Sequence, residues 1–112
     1  MSKKVIALAC SAGMSTSLLV KKMQDAAAVE GLNYEIYAEA AAEIDNILSG
    51  TGHSKPDVLL LGPQVSYMKA EVSKKTEAAG IPLDIINMQD YGMMNGGKVL
   101  ASAMALMEYN HE

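Results

Sequence analysis

Apolar positions along the chain follow two periods in turn, and their alternation predicts the order of the elements. Residues 4–9 (KVIALA) form a continuous apolar run of strand length with β-branched members, the pattern of a strand covered on both faces. From Ser15 the period changes: Leu19, Met23, Ala26 and Ala27 recur at helical spacing, Lys21, Lys22, Gln24 and Asp25 fall between them, and Gly31 supplies a stop. Residues 34–38 (YEIYA) alternate as a second strand, and Glu35 places it toward the edge of a sheet. A shorter helix follows with Ala40, Ile44, Ile47 and Leu48 on one face, ended by Gly50. Residues 57–61 (DVLLL), bounded by Pro56 and by Gly62-Pro63, predict a central strand. Val65, Met68, Val72, Thr76 and Ala79 mark the inner face of a third helix that stops at Gly80. Residues 82–86 (PLDII) read as a fourth strand, 87–97 as a loop, and Val99, Leu100, Ala103, Met104 and Met107 as the buried stripe of a last helix.

Four repeats of strand then helix predict an α/β fold: a four-stranded parallel open sheet with helices on both faces and right-handed crossovers. In such sheets the binding crevice lies at the carboxyl ends of the strands, where the strand order reverses. Cys10 falls at that end of the first strand. Gly62, Pro63 and Gln64 follow the third, and the loop containing Asp90 follows the fourth.

Composition narrows the function classes. At 112 residues the chain is expected to form a single domain, 1–112, with a core of Val, Ile, Leu, Ala and Met, since five tyrosines are its only aromatic residues. Its net charge of -4 argues against nucleic-acid binding, which needs clustered cations; the longest basic runs are the pairs Lys3-Lys4, Lys21-Lys22 and Lys74-Lys75. The apolar run 5–10 is too short for a signal peptide, and no stretch reaches membrane-spanning length, so a soluble cytoplasmic protein is expected. One cysteine cannot form an internal disulfide. With His53 and His111 far from it in sequence, no metal site is expected, and both histidines are expected to be solvated; no cofactor is called for.

The chemistry concentrates in ACSAGMSTSLLV, residues 9–20. A loop leading into a helix N-terminus directs unpaired backbone N–H groups at one point, and the helix dipole adds positive potential there. That point suits a phosphate dianion. Gly13 lets the loop curl its amides inward, Ser11, Ser15, Thr16 and Ser17 supply hydroxyls, and Ser15 is the best placed to cap the helix. The same field favours the thiolate of a cysteine at this position, and the thiolate is the nucleophile. A buried, inert cysteine at a strand end is the alternative to which this reading is opposed.

Cysteine-dependent phosphatases carry Cys, five residues, Arg and then Ser or Thr in a loop of this kind. Counting from Cys10, the five are Ser11, Ala12, Gly13, Met14 and Ser15; Thr16 stands where the arginine would, and Ser17 follows. The segment Gly62-Pro63-Gln64 offers no carboxylate, leaving Asp90 as the one nearby acid. Without a bidentate arginine and a placed acid, hydrolysis of a phosphocysteine should be slow. A thiol that takes phosphate and does not lose it to water is a carrier.

CSAGMSTSLLV (10–20), together with DVLLLGPQVSYM (57–68), resembles the IIB component of the phosphoenolpyruvate-dependent sugar phosphotransferase system, lactose/cellobiose (chitobiose) family. The resemblance implies a fold like that of the low-molecular-weight protein tyrosine phosphatases and a phosphoryl relay: IIA carries phosphate on a histidine, IIB accepts it on cysteine, and the membrane component IIC presents the imported sugar. Carried over by position, Cys10 is the phosphorylated residue, and the amides of Ser11, Ala12, Gly13, Met14, Ser15, Thr16 and Ser17 hold the phosphoryl group. Gly62, Pro63 and Gln64 match a second segment beside the site, where Gln64 either shapes the loop or contacts phosphate or partner. Met14 and Leu18 are candidates for an apolar docking rim, Leu18 being equally suited to helix packing. Two other classes stand against the carrier: a cysteine phosphatase-like hydrolase, and a non-catalytic anion-binding regulatory module.

Overall fold

The computed structural model describes residues 4–11 and 14–109. Its centre is β1 (Lys4–Cys10), flanked by β2 (Tyr34–Ala40) and β3 (Val58–Leu61), with β4 (Leu83–Ile85) beyond β3; all pairings are parallel and the order is β2-β1-β3-β4. Because successive strand side chains point to opposite faces, β1 feeds two cores. Ile6 and Leu8 pack with Leu19, Met23 and Ala27 of α1 (Met14–Val29) and with Val99, Leu100, Ala103 and Met107 of α5 (Gly96–Tyr109). Val5, Ala7 and Ala9 pack on the other face with Ile44, Ile47 and Leu48 of α2 (Ile44–Ser49) and Val72 of α3 (Lys69–Ala79). Burying one such Leu or Ile side chain contributes about 1.5–3 kcal/mol. Apolar side chains fill both faces, so the unbroken apolar run of β1 is what a doubly covered central strand requires.

Several boundaries differ from the sequence expectation, each for a local reason. Ala40, expected on a helix face, ends β2; a 3-10 turn over Ala41–Glu43 then leads into α2. Val65 and Met68 belong not to the third α-helix but to a 3-10 segment, Pro63–Met68, whose first residue is a proline suited to a helix start. The expected loop 87–97 contains a further helix, α4 (Met88–Gly92), because the Asn87 side-chain oxygen accepts from the backbone N–H of Gln89 (2.9 Å) and of Asp90 (3.0 Å). At the other end of the sheet Asp57 precedes β3 rather than belonging to it. Its carboxylate accepts from Val5 N while its own N–H donates to Val5 O, both at 2.8 Å, so a side chain extends the β1–β3 pairing.

Both edges need management, since an edge strand exposes unpaired backbone groups. On β2 the Gln24 amide donates to the Ile36 carbonyl at 3.0 Å. The loop 50–54 lies over the strand's other residues: the His53 ring stacks on Tyr37 at a centroid distance of 4.0 Å and an interplanar angle of 11°, and its Nε2 is 2.7 Å from the Glu39 carboxylate. Tyr37 Oη donates to Ser54 O at 2.9 Å, and Ser54 Oγ donates to Glu35 at 3.0 Å. His53 is therefore a partly buried, paired side chain and not the solvated loop residue expected from its Gly/Ser/Lys/Pro surroundings; His111 lies outside the described residues. Burial first, then the charges of Glu35 and Glu39, push the Tyr37 hydroxyl up to about 12.

Two outcomes follow from this packing. A Cβ on Gly96, at the start of α5, would lie 2.5–2.7 Å from Lys22 backbone and Cβ atoms of α1, so Gly96→Ala must push the helices apart. It should lower stability by about 1–3 kcal/mol, read as a fall in the urea midpoint at unchanged slope. The raised Tyr37 value means that the neutral phenol is favoured in the folded state: its contribution is complete below pH 10.0, the ordinary value, and is lost as pH rises through about 12. Tyr37→Phe should therefore show a shallower alkaline loss of stability than the parent over that window, followed by circular dichroism.

Candidate functional site

The chain leaves β1, forms β2 on one side, and returns to form β3 on the other, so the strand order reverses across β1 and β3, whose carboxyl ends are where the crevice of such a sheet lies. Cys10 is the last residue of β1, and Gly62 follows β3 directly. The Gly62 N–H donates to Ala9 O at 2.8 Å, carrying the pairing one residue beyond the strand. A Cβ on Gly62 would sit 3.3 Å from Cys10 Cβ and 3.2 Å from Gln64 Oε1. Glycine is what lets the second segment close on the cysteine. Residues 62–64, which sequence reasoning placed beside the site, are thus brought to it, with Gly62 buried, Pro63 half-buried and Gln64 exposed but turned back over Gly62.

Cys10 itself is 5% exposed, and its thiol donates to the Glu39 carbonyl at the end of β2, with Sγ···O 3.7 Å. The 16-residue helix α1 begins four residues on, at Met14, directing its unpaired first-turn N–H groups and the positive end of its dipole toward the crevice. Ser11 and Ser17 are exposed. Ala12 and Gly13, expected in the cradle, lie outside the described residues, as do the side chains of Met14 and Ser15.

Thr16 takes a different position from its neighbours. It is 2% exposed, and its hydroxyl is 3.0 Å from Tyr91 Oη, itself buried on α4. Tyr91 ties the first turn of α1 to the helix that follows β4. Sequence reasoning missed it because 87–97 was read as a loop; Asn87 followed by Asp90 at the third helical position was the cap signal that locates α4. Asp90 lines a cavity of about 270 Å³ with Asp84, Asn87 and Ser102, between β4 and α5. Among the described residues no cluster of three or more His, Cys, Asp or Glu side chains is arranged to hold a metal ion, and no helix is long and apolar enough to cross a membrane.

The segments that follow the strands' carboxyl ends also carry exposed apolar side chains: Leu18 on α1, Tyr67 after β3, Met88 on α4 and Met93 just past its end. Leu18, which sequence spacing left open between core and rim, is 49% exposed.

Residues 5–102 match the family model described as PTS system, Lactose/Cellobiose specific IIB subunit. The chain is 69% identical over 107 residues to the PTS system galactose-specific EIIB component of Lactococcus lactis subsp. cremoris (strain MG1363), covering 96% of this chain and 99% of that one. It is equally similar, at 69% over 107 residues with the same coverage, to the PTS system cellobiose-specific EIIB component of Lactococcus lactis subsp. lactis (strain IL1403). The PTS system oligo-beta-mannoside-specific EIIB component of Bacillus subtilis (strain 168) is 40% identical over 104 residues, 93% of this chain and 96% of that one. Among solved structures, the cellobiose-specific phosphotransferase IIB component of Borrelia burgdorferi superposes with a TM-score of 0.78 at 37% identity, covering 97% of this chain and 95% of that one. The lactose-specific IIB domain of Streptococcus pneumoniae, at 18% identity, a TM-score of 0.78 and coverage of 94% and 98%, shares the fold. With its doubly covered parallel sheet, its cysteine at the switch point and a family match over nearly its whole length, the chain belongs to the lactose/cellobiose-specific IIB subunits of the sugar phosphotransferase system.

Proposed function

We propose that the chain is a phosphoryl carrier whose acceptor is Cys10. The sulfur attacks the phosphorus of a phosphohistidine on IIA; the S–P bond forms as the N–P bond breaks, and the thiol proton passes to the histidine, which leaves as a neutral imidazole. In the second half of the cycle a sugar hydroxyl held by membrane-bound IIC attacks the same phosphorus; the O–P bond forms as the S–P bond breaks, and the hydroxyl proton returns to the sulfur, which leaves as the Cys10 thiol. Backbone N–H groups of residues 11–17 and the hydroxyls of Ser11, Ser15 and Ser17 hold the phosphoryl oxygens, and the α1 dipole offsets their charge. Gln64 closes the crevice from the β3 side.

One observation carries the choice of a carrier over a hydrolase. Thr16, at the position where a cysteine phosphatase has its arginine, is buried with its hydroxyl engaged by Tyr91, so its side chain serves the core and not the phosphate. With no cation at that position and no carboxylate in residues 62–64, water attack on the phosphocysteine lacks the bidentate arginine of a phosphatase and an acid on the β3 side. Leu18, Tyr67, Met88 and Met93 form the docking rim for IIA and IIC, small enough that each partner is released after transfer. Such a subunit works in the cytoplasm, on the inner side of its IIC. The similarity to cellobiose- and galactose-specific relatives at 69% identity supports a β-glycoside of the cellobiose, chitobiose or lactose type as the acceptor.

The reading is tested by incubating the protein with phosphoenolpyruvate and the relay proteins through IIA, then mapping phosphate by mass spectrometry. One phosphate on Cys10 is expected, with complete loss in a normally folded Cys10→Ser, whose hydroxyl is hardly ionised at neutral pH. Phosphate on another residue, or undiminished labelling of Cys10→Ser, would overturn it.

A further inference from the structure

The end of β2 carries one residue whose two oxygen-bearing groups serve different partners. The backbone carbonyl of Glu39 accepts the Cys10 thiol at 3.7 Å, and its carboxylate holds His53 Nε2 at 2.7 Å. His53 lies flat on Tyr37, Tyr37 Oη is fixed to Ser54 O, and the Ser54 hydroxyl is fixed to Glu35. Residues 35, 37 and 39 share one face of the strand, so a ladder of contacts clamps loop 50–54 onto the strand end that receives the thiol.

We propose that Glu39 and His53 act as a latch that holds Cys10 in a resting position, turned toward β2, which the sulfur must leave in order to react. The chemistry of the hydrogen bond requires this. A thiol has a proton to donate to the Glu39 carbonyl; a thiolate has only lone pairs, which the carbonyl oxygen repels, and a phosphorylated sulfur has no proton either. The Glu39 carbonyl is thus a partner for the resting thiol alone. Because Cys10 is 5% exposed, the resting rotamer also withholds the sulfur from small electrophiles between transfers. Glu39 and His53 are positioning residues: they act through the main chain of β2 and touch neither phosphate nor sugar. The latch rests on the reading of Cys10 as the phosphoryl acceptor, and that reading sets its purpose.

Iodoacetamide alkylation tests it, because Cys10 is the chain's only cysteine and the reaction uses no phosphoryl donor. His53→Ala and Glu39→Ala should raise the alkylation rate at neutral pH by roughly three- to tenfold, the range of one weakened hydrogen bond. Glu39→Gln, which keeps an acceptor for His53, should fall between Glu39→Ala and the parent. Gly96→Ala loosens the fold away from the latch and should leave the rate unchanged. Circular dichroism and urea midpoints confirm that the compared variants are folded. Parent-like or lower rates in both His53→Ala and Glu39→Ala would overturn the proposal, and so would an equal rise in Gly96→Ala. The two readings fail separately: unchanged alkylation removes the latch and leaves the relay, while absence of phosphate from Cys10 removes the relay whatever the alkylation rates.

Discussion

Double pairing of β1 is the constraint on which the site depends. A strand hydrogen-bonded on both edges and packed on both faces has little freedom to shift, since a slip of one residue would turn Ile6 and Leu8 out of one core and Val5, Ala7 and Ala9 out of the other. Cys10 inherits that fixed position as the strand's last residue. The same pairing places Glu39 on one side of it and Gly62 on the other, through the register that aligns Cys10 with Ala40 and Ala9 with Leu61. Asp57 adds to the hold at the opposite end by bonding Val5 through its carboxylate.

On that base the crevice is built from two kinds of contact. Close approach of backbones, permitted by Gly62, brings the segment after β3 against the cysteine. A buried hydroxyl pair, Thr16 with Tyr91, anchors the first turn of α1 to α4. An unpaired buried hydroxyl costs about 1–3 kcal/mol, so each side chain holds the other in place. The consequence for chemistry is a matter of direction. The residue that in a phosphatase would reach toward phosphate is here part of the core, and the loop is left with amides, hydroxyls and a helix dipole. In the proposed carrier those groups would hold an anion and do little to activate water.

Much of this was legible along the chain. The runs KVIALA and DVLLL announced covered central strands, and the strand-to-helix junction at Cys10 was equally plain, because both signals are carried by consecutive residues. The missed helical segments have a common cause. Helix α4 buries one described side chain, Tyr91, in five residues, so it leaves no periodic trace, and its only local signal is the Asn87 cap. The 3-10 segments at Ala41–Glu43 and Pro63–Met68 are too short to show a period of their own. Glu39 as the thiol's partner was invisible for a different reason: the acceptor is a backbone carbonyl, available to any residue type, and only the strand register selects it. His53 looked solvated because its neighbours in sequence are polar, while its partners Tyr37 and Glu39 come from another element.

The central claim is that this cysteine loop holds phosphate without giving it to water. Phosphorus NMR of the isolated phosphorylated protein tests that most directly, because a thiophosphate ester and inorganic phosphate resonate far apart. The account predicts a thiophosphate signal that persists for hours and collapses only when IIC and its sugar are added. Steady release of inorganic phosphate by the isolated protein, or a signal from phosphate bound to any atom other than sulfur, would contradict it.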